Sequence, residues 1–536
     1  MRQYETFELS FDGATLNDQW ASVDVTAVFT DQSGSKTVKG FYAGDGVYKV
    51  RYMPETVGEV SWKVSGVVSG EGKEICEPAA EDRHGIVRAN GVHLMNADGS
   101  WFFSFGTTVY GLAHQDKEIT EQTFDTLSKN PFNKVRMCVF PKHYDYNVND
   151  PEYFPFEVNA GMTYTYDRGN TFNDSPFLSE KAKYWNVNQP CFAFWDAFEE
   201  KIKRLDDMGI QVDLILFHPY DRWGFSYLSA EQNRIYLEYL ISRLAAFPNI
   251  WWSLANEYDI CADKSQEDWY QIEECVAAND PYHHLLSNHN CFDIWDFSRE
   301  NITHCSLQKR TMTLVPEMME KYHKPVLYDE CVYEGNVKQT WGSLNGEEMT
   351  NRFWKVTVHG GYCTHGEVYL DMDMENIDDA VLWWAKGGKL IGTSPARIAY
   401  LRNLMEEIGQ PLVPYEGPMA FVFKPDLPKE VEDNLPDSLK SMRRSIKRMD
   451  KVDLVRHHDQ ETFFAGHAGE DTYLFYYGTD CCARVDINLP KDHTYKIEVI
   501  DAWNMTRETF TTGASGDLEV KLTGRPYMAV LATRES

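Results

Sequence analysis

Two short stretches end on carboxylates. Asn256 and Glu257 close the apolar run of NIWWSLANEYDI (249–260), and Asp329 and Glu330 close that of KPVLYDECVYEG (324–335). Ile250, Trp251, Trp252 and Leu254 in the first run, and Pro325, Val326 and Leu327 in the second, have the bulk of strands covered on both faces. Each run therefore delivers an acid at its C-terminal end. Two such acids can divide the cleavage of a glycosidic bond. One protonates the leaving oxygen, and the other attacks or stabilises an oxocarbenium-like centre. Glu257 is the candidate acid/base and Glu330 the candidate nucleophile, with Asn256 placed to bind a sugar hydroxyl. That division requires Glu257 to hold a proton at rest, through apolar surroundings and the charge of Glu330. A retaining reaction needs the two carboxyls about 5–5.5 Å apart.

Positions 257 and 330 are three β/α units of roughly 25 residues apart, which suits a (β/α)8 TIM barrel. The predicted strands follow in order: 101–112, 133–141, 211–217, the Glu257 strand, 283–290, 302–310, the Glu330 strand and 360–370. Helical spacing of Phe198, Ile202 and Leu205 before Gly209, and a Ser229/Gln232 capping box, supply helices between them. Candidate binding residues fall at strand ends: Arg136 inside the second strand, His218 and Trp223 after the third, Asn288, His289 and Asn290 after the fifth, and Gln308 after the sixth. Glu367, after the eighth, is a third acid without the Asn-Glu context. The long aromatic connection 142–190 follows a strand and is expected to wall the pocket.

Four segments in this order, LFHPYDRWGF (216–225), NEYD (256–259), PVLYDECVYEG (325–335) and LWWAKGGKLIGTSPARIAYLR (382–402), resemble the DUF4038/DUF5060/DUF5605 group of glycosidase-like proteins. That group is related to apiosidase-like enzymes within the clan of retaining barrel glycosidases, and the resemblance covers nearly the whole chain. It implies an exo-acting β-glycosidase for plant-derived oligosaccharides or glycosides, with apiose among the candidate terminal sugars. It also implies that Arg136 orders the nucleophile, unless it pairs with another acid, and that Trp384 floors the sugar site. Relatives in the clan carry a tyrosine near the sixth strand to hydrogen-bond the nucleophile. No tyrosine stands there in this chain, which leaves Tyr333 or Gln308 for that role. A non-catalytic carbohydrate-binding protein on the same scaffold is the alternative.

The 536 residues exceed one core, so several domains are expected. Alternating segments at 1–85 and 458–536 read as β-sandwiches flanking a barrel at 86–414, with a charged linker at 415–457. A net charge of −30 repels nucleic acid and anionic membranes, and no apolar run reaches membrane-spanning length. A neutral carbohydrate substrate fits better, and a homo-oligomer is compatible. Eleven scattered cysteines show no ligand spacing, and His218, His289, His365 and Asp329 show no HxH or HExxH pattern. No cofactor or metal is therefore expected. Unpaired thiols and the absence of a signal-like N-terminus suggest the cytoplasm.

Overall fold

The computed structural model describes residues 1–143, 150–162, 182–370, 382–415, 427–450 and 464–535. The chain forms two compact units. One comprises Met1–Gln308, Lys324–Leu344 and Thr364–Gly392; the other comprises Lys309–His323, Asn345–Cys363 and Thr393–Ser536.

The barrel strands are β1 (Phe105–Thr108), β2 (Lys134–Cys138), β3 (Gln211–Phe217), β4 (Ile250–Ala255), β5 (Leu286–Ser287), β6 (Cys305–Gln308), β7 (Val326–Glu330) and β8 (Tyr362–His365). They form one sheet in the order β5-β4-β3-β2-β1-β8-β7-β6. A parallel bridge from His289 to Ser306 draws its two edges together, giving a nearly closed barrel. The predicted strands contain these elements, and every residue of β3 and β4 is buried. The β5/β6 seam has few ladder bonds, so side chains supplement it. Ser287 donates to the His304 carbonyl (2.7 Å), and Asn290 bonds both the nitrogen and the carbonyl of Gln308 (3.2 and 3.3 Å).

Helices α1 (Lys117–Ser128), α2 (Phe192–Asp207), α3 (Ala230–Leu244) and α4 (Gln266–Asn279) follow β1 to β4. Helices α5 (Val315–Tyr322), α6 (Gly346–Val358) and α7 (Ser394–Ile408) follow β6 to β8. The Ser229/Gln232 capping box is formed at α3. Between β5 and β6 no helix occurs among the described residues.

In the first unit, a three-stranded sheet (Phe7–Asp12, Val47–Tyr52, Phe41–Tyr42) and a four-stranded one (Gly34–Lys39, Val25–Asp31, Gly58–Gly66, Gly70–Cys76) make the N-terminal β layer pair. Phe29 of one stacks on Tyr52 of the other at 4.1 Å. Arg51 fastens this layer pair to the barrel helices. It donates to Glu8 and Glu199 (2.8 Å each) and to the Arg243 carbonyl (2.7 Å), and Arg243 also pairs with Glu199 (2.5 Å).

In the second unit, Val413–Pro414, Phe464–Ala468, Thr472–Tyr476, Met528–Arg534, Tyr495–Asp501 and Thr506–Ala514 form a six-stranded sheet, accompanied by the pair Arg484–Asn488 and Asp517–Lys521. Tyr473, Phe475, Ile487, Tyr495, Ile497, Val520 and Val530 fill the space between them. The sheet also packs on α6: Trp354 stacks on Tyr476 (5.2 Å), whose hydroxyl donates to Asn351 (2.9 Å). The described part of the charged 415–457 segment is helical over Lys429–Asp433 and Asp437–Ile446. No helix among the described residues is long and apolar enough to cross a membrane, and all eleven cysteines are free thiols.

Candidate active site

Glu257 and Glu330 lie where their strands stop. Glu257 follows β4 and takes a left-handed conformation (φ 54°, ψ 55°), which a non-glycine residue adopts only when its surroundings enforce it. Glu330 ends β7 beside a register irregularity: Leu307 faces Tyr328, but Gln308 faces Glu330. This bulge lets adjacent acids serve different places. Asp329 turns into the barrel, where it meets Lys134, Ser306 (2.6 Å) and Thr364 (3.1 Å). Glu330 remains at the mouth.

Two routes link the carboxylates, one of hydrogen bonds throughout and one that ends in a 3.6 Å charge contact. On one side, Gln308 Nε2 donates to Glu257 Oε1 (2.9 Å) and Gln308 Oε1 accepts from His289 Nε2 (3.1 Å). His289 Nε2 lies 3.6 Å from Glu330 Oε1. On the other side, the Tyr110 hydroxyl bridges Glu330 Oε1 and Asn256 Oδ1 (3.0 Å to the latter), and Asn256 Nδ2 reaches Glu257 Oε2 (3.2 Å). Tyr220 donates to Glu257 Oε2, and Trp341 Nε1 to Glu330 Oε2 (3.2 Å).

Burial by itself would raise the Glu330 carboxyl. The bond and charge of His289, then the charges of Lys142 and Arg136, override it and hold the group down at about 2. Glu330 is therefore an anion at neutral pH. Lys142 is buried with its ammonium 3.4 Å from the centre of the Tyr110 ring and 4.3 Å from that of Tyr220. It thus touches the tyrosine that serves each carboxylate, and cation–π attraction steadies both rings. Burial keeps the hydroxyl of Tyr220 protonated far above neutral pH, with the charges of Glu257 and Glu330 adding to the effect.

Local turns aim these groups. Asp221 accepts from the nitrogens of Trp223 (2.7 Å), Gly224 (3.1 Å) and Ser226 (2.7 Å), folding the loop that carries Tyr220. Val332 takes φ 73°, an outlier for a β-branched residue, just before Tyr333. The Tyr333 hydroxyl lies 3.2 Å from that of Tyr110. A side chain at Gly366 would overlap the Tyr333 ring. Half-buried Trp384 makes T-shaped ring contacts with Tyr110 (6.4 Å) and Tyr333 (6.1 Å).

The structure thus brings together Glu257, Glu330, Asn256, His289, Gln308, Tyr333 and Trp384. Three expected binding residues have other partners. Arg136 pairs with Asp213 (3.3 Å) and reaches His289 Nδ1 (3.4 Å), one residue short of Glu330. Residues 134, 136 and 213 share the inward face of neighbouring strands, so Arg136 is matched to Asp213 by register. His218 is buried, bonds the Phe140 carbonyl through Nε2 (3.2 Å) and is pushed down to about 3, first by burial and then by Lys142. Trp223 is buried among Phe154 and other aromatic rings, and its Nε1 donates to Asp150 (2.8 Å). Gln308 bonds Glu257 rather than Glu330. The tyrosine on Glu330 is Tyr110, from the end of the first strand.

Tyr110, Lys142, Tyr220 and Trp341 went unpredicted as contacts of the acids. Tyr110 and Tyr220 do follow β1 and β3 in the chain, where catalytic side chains of a barrel gather, and that position was their one signal. Of the expected wall at 142–190, residues 144–149 and 163–181 lie outside the described residues. The described part pairs Phe156–Val158 with Trp185–Pro190.

A family profile described as "Apiosidase-like, catalytic domain" matches residues 88–408. Two domains of unknown function, DUF5060 and DUF5605, match residues 1–66 and 461–533. A candidate glycoside hydrolase of Bacteroides vulgatus ATCC 8482, of known structure, is similar at 30% identity and a TM-score of 0.82, over 100% of this chain and 99% of that one. A family 5 glycoside hydrolase structure from the same organism shares the fold at 15% identity and a TM-score of 0.56, over 84% of this chain and 94% of that one. The sequence matches no curated protein. With a nearly closed eight-stranded parallel barrel, two glutamates at strand ends and a profile match over most of its length, the chain belongs to the apiosidase-like catalytic-domain family.

Proposed function

We propose that the chain is a retaining, exo-acting β-glycosidase in which Glu330 is the nucleophile and Glu257 the acid/base. The observation that carries this reading is the hydrogen-bonded route Glu330–Tyr110–Asn256–Glu257 that joins the two carboxylates, with Glu330 held as an anion. An ionised carboxylate can attack the anomeric carbon, while the Tyr110 and Trp341 donors hold its two oxygens apart and aimed. Glu257 accepts hydrogen bonds from Gln308, Asn256 and Tyr220, and the Cys291 thiol also bonds it. The Tyr220 hydroxyl can accept as well as donate, so it can take the hydrogen bond of a protonated Glu257 carboxyl. Glu257 would give that proton to the leaving oxygen and later recover one from water.

Glu257 and Glu330 are only 5% and 4% exposed, which suits a pocket for a terminal sugar better than an open groove. Asn256 would contact a hydroxyl of that sugar, and the half-buried Trp384 its ring face. The apiosidase-like description of the family supports apiosides as candidate substrates, within the wider class of plant-derived glycosides that we propose.

A panel of aryl glycosides (gluco, galacto, xylo, arabino and apio) tests the reading on wild type, Glu257→Gln and Glu330→Gln. The expected result is cleavage of one sugar, with each variant slowed by about 10³-fold or more. Full activity of Glu330→Gln on a sugar that wild type cleaves would overturn the assignment.

A further inference from the structure

A second buried cluster lies beyond the catalytic carboxylates, at the ends of β7 and β8. Glu334, His365 and Glu367 each offer a ligand atom, and these atoms lie within 4.8 Å of one another. Glu334 and Glu367 are paired in register on two short parallel strands, Glu334–Gly335 and Glu367–Val368. All three side chains are fully buried. The imidazole is held in place: its ring stacks on Phe132 (4.9 Å), and Nδ1 lies 3.2 Å from Thr107 Oγ1, which itself accepts from Trp383 (2.8 Å). Nε2 of the same ring has no hydrogen-bond partner and points toward Glu367 Oε2, 4.0 Å away.

The space where the groups meet has a shape of its own. A Cβ at Gly392 would overlap Glu367 Oε2 and stand 2.7 Å from the Glu334 carboxylate. Glycine is thus the residue that leaves room at the point where both acids converge. The Gly392 and Ile391 nitrogens donate to Glu367 (2.9 and 2.6 Å), and Tyr369 donates to Glu334 Oε1 (3.1 Å), which orients the two carboxylates. Outer hydrogen bonds of this kind orient metal ligands.

We propose that Glu334, His365 and Glu367 bind one divalent transition-metal ion of the zinc or manganese class. One imidazole nitrogen and two carboxylates are ligands suited to that class. Magnesium favours an all-oxygen shell. Ligand atoms of a compact site stand about 3–4 Å apart when each is about 2.0–2.2 Å from the ion. From separations of up to 4.8 Å, the present cluster would contract by about 1–2 Å. A cation would offset the repulsion of two buried carboxylates that converge on one point.

The role assigned to the ion is structural. It would clamp Glu334 to the β8 exit, one residue from Tyr333 and on both sides of Gly366, whose backbone lies against the Tyr333 ring. The three ligands are thus positioning residues for the tyrosine pair beside Glu330.

The test uses the full chain, stripped with chelator and titrated separately with ZnCl2, MnCl2 and MgCl2. Binding is followed by calorimetry and thermal unfolding, with the metal content of the gel-filtered protein. The expected result is one equivalent of zinc or manganese per chain, a raised unfolding temperature and no comparable effect of magnesium. His365→Gln and, separately, Gly392→Ala should each lose that equivalent; the second fills the site without replacing a ligand. No uptake of zinc or manganese by folded wild type would overturn the proposal. So would uptake that survives both substitutions, or equal binding of magnesium. No substrate is needed, so failure here is distinct from failure of the glycosidase reading.

Discussion

At the residue scale, the account rests on which hydrogen bonds each carboxylate keeps. Tyr110 donates to Glu330 and also orders Asn256. Removing its hydroxyl in Tyr110→Phe takes a donor from a charged acceptor, worth about 1.5–3 kcal/mol, or roughly 10- to 150-fold in kcat/KM. The sign on pH follows. Glu330 sits below its ordinary value, so it is ionised above about pH 2 and neutralised as pH falls through that value. Losing a donor raises its pKa, so the acidic limb of the kcat/KM profile should move to higher pH. A pH–rate series on wild type and Tyr110→Phe checks this, and an unmoved limb would count against Glu330. The place of Glu257 and Glu330 at strand ends was legible because an apolar run fixes where a strand stops. Tyr110, Lys142, Tyr220 and Trp341 were not, because a single sequence does not say which loop residues a closed barrel brings together. His218 and Trp223 were read as ligands from their place after β3. The same place also puts a side chain within reach of the next strand's loop, and they bond Phe140 and Asp150 instead.

At the element scale, the N-terminal layers and the helices α2 and α3 meet through charge. Glu199 is buried between Arg51 and Arg243. Burial would raise its carboxyl, but Arg51 and then Arg243 hold it below the ordinary value. Its contribution to stability is therefore complete above the unfolded value of about 4.3 and is lost as pH falls through the lowered folded value. Glu199→Gln takes one of two acids from each guanidinium, Arg51 keeping Glu8 and Arg243 keeping Asp196, and should cost about 1.5–3 kcal/mol, read as a lower urea midpoint at neutral pH. The difference from wild type should shrink in acid. The eight strands were legible from apolar runs bounded by polar exits. The parity of Lys134, Arg136 and Asp213, and the bulge that separates Asp329 from Glu330, depend on pairing register, which no single run encodes.

At the scale of the whole molecule, the second unit places the C-terminal sheet on a barrel helix. Gly466 is held so close to α6 that an added Cβ would overlap the Val358 carbonyl, and Phe464 stacks on His359 at 4.8 Å. A chain ending after Pro414 would bare Trp354 and the carbonyl end of α6, and it should be insoluble or unfolded when expressed alone. Gly466→Ala, a milder change, should lower the unfolding temperature of the intact chain. A soluble, active truncation would show the sheet to be dispensable. The flanking β domains were visible as alternating segments, whereas their packing partners were not, since the aromatic faces of Trp354 and Tyr476 look alike in sequence whether they face each other or separate cores. The most direct test of the central claim is to trap the reaction in the full chain. An activated 2-deoxy-2-fluoro glycoside of the sugar found in the panel is incubated with the protein, followed by peptide mass spectrometry. The account predicts a covalent sugar adduct on Glu330, with retained configuration in the first product of the ordinary substrate. An inverted first product, or an adduct on another residue such as Glu367, would contradict it.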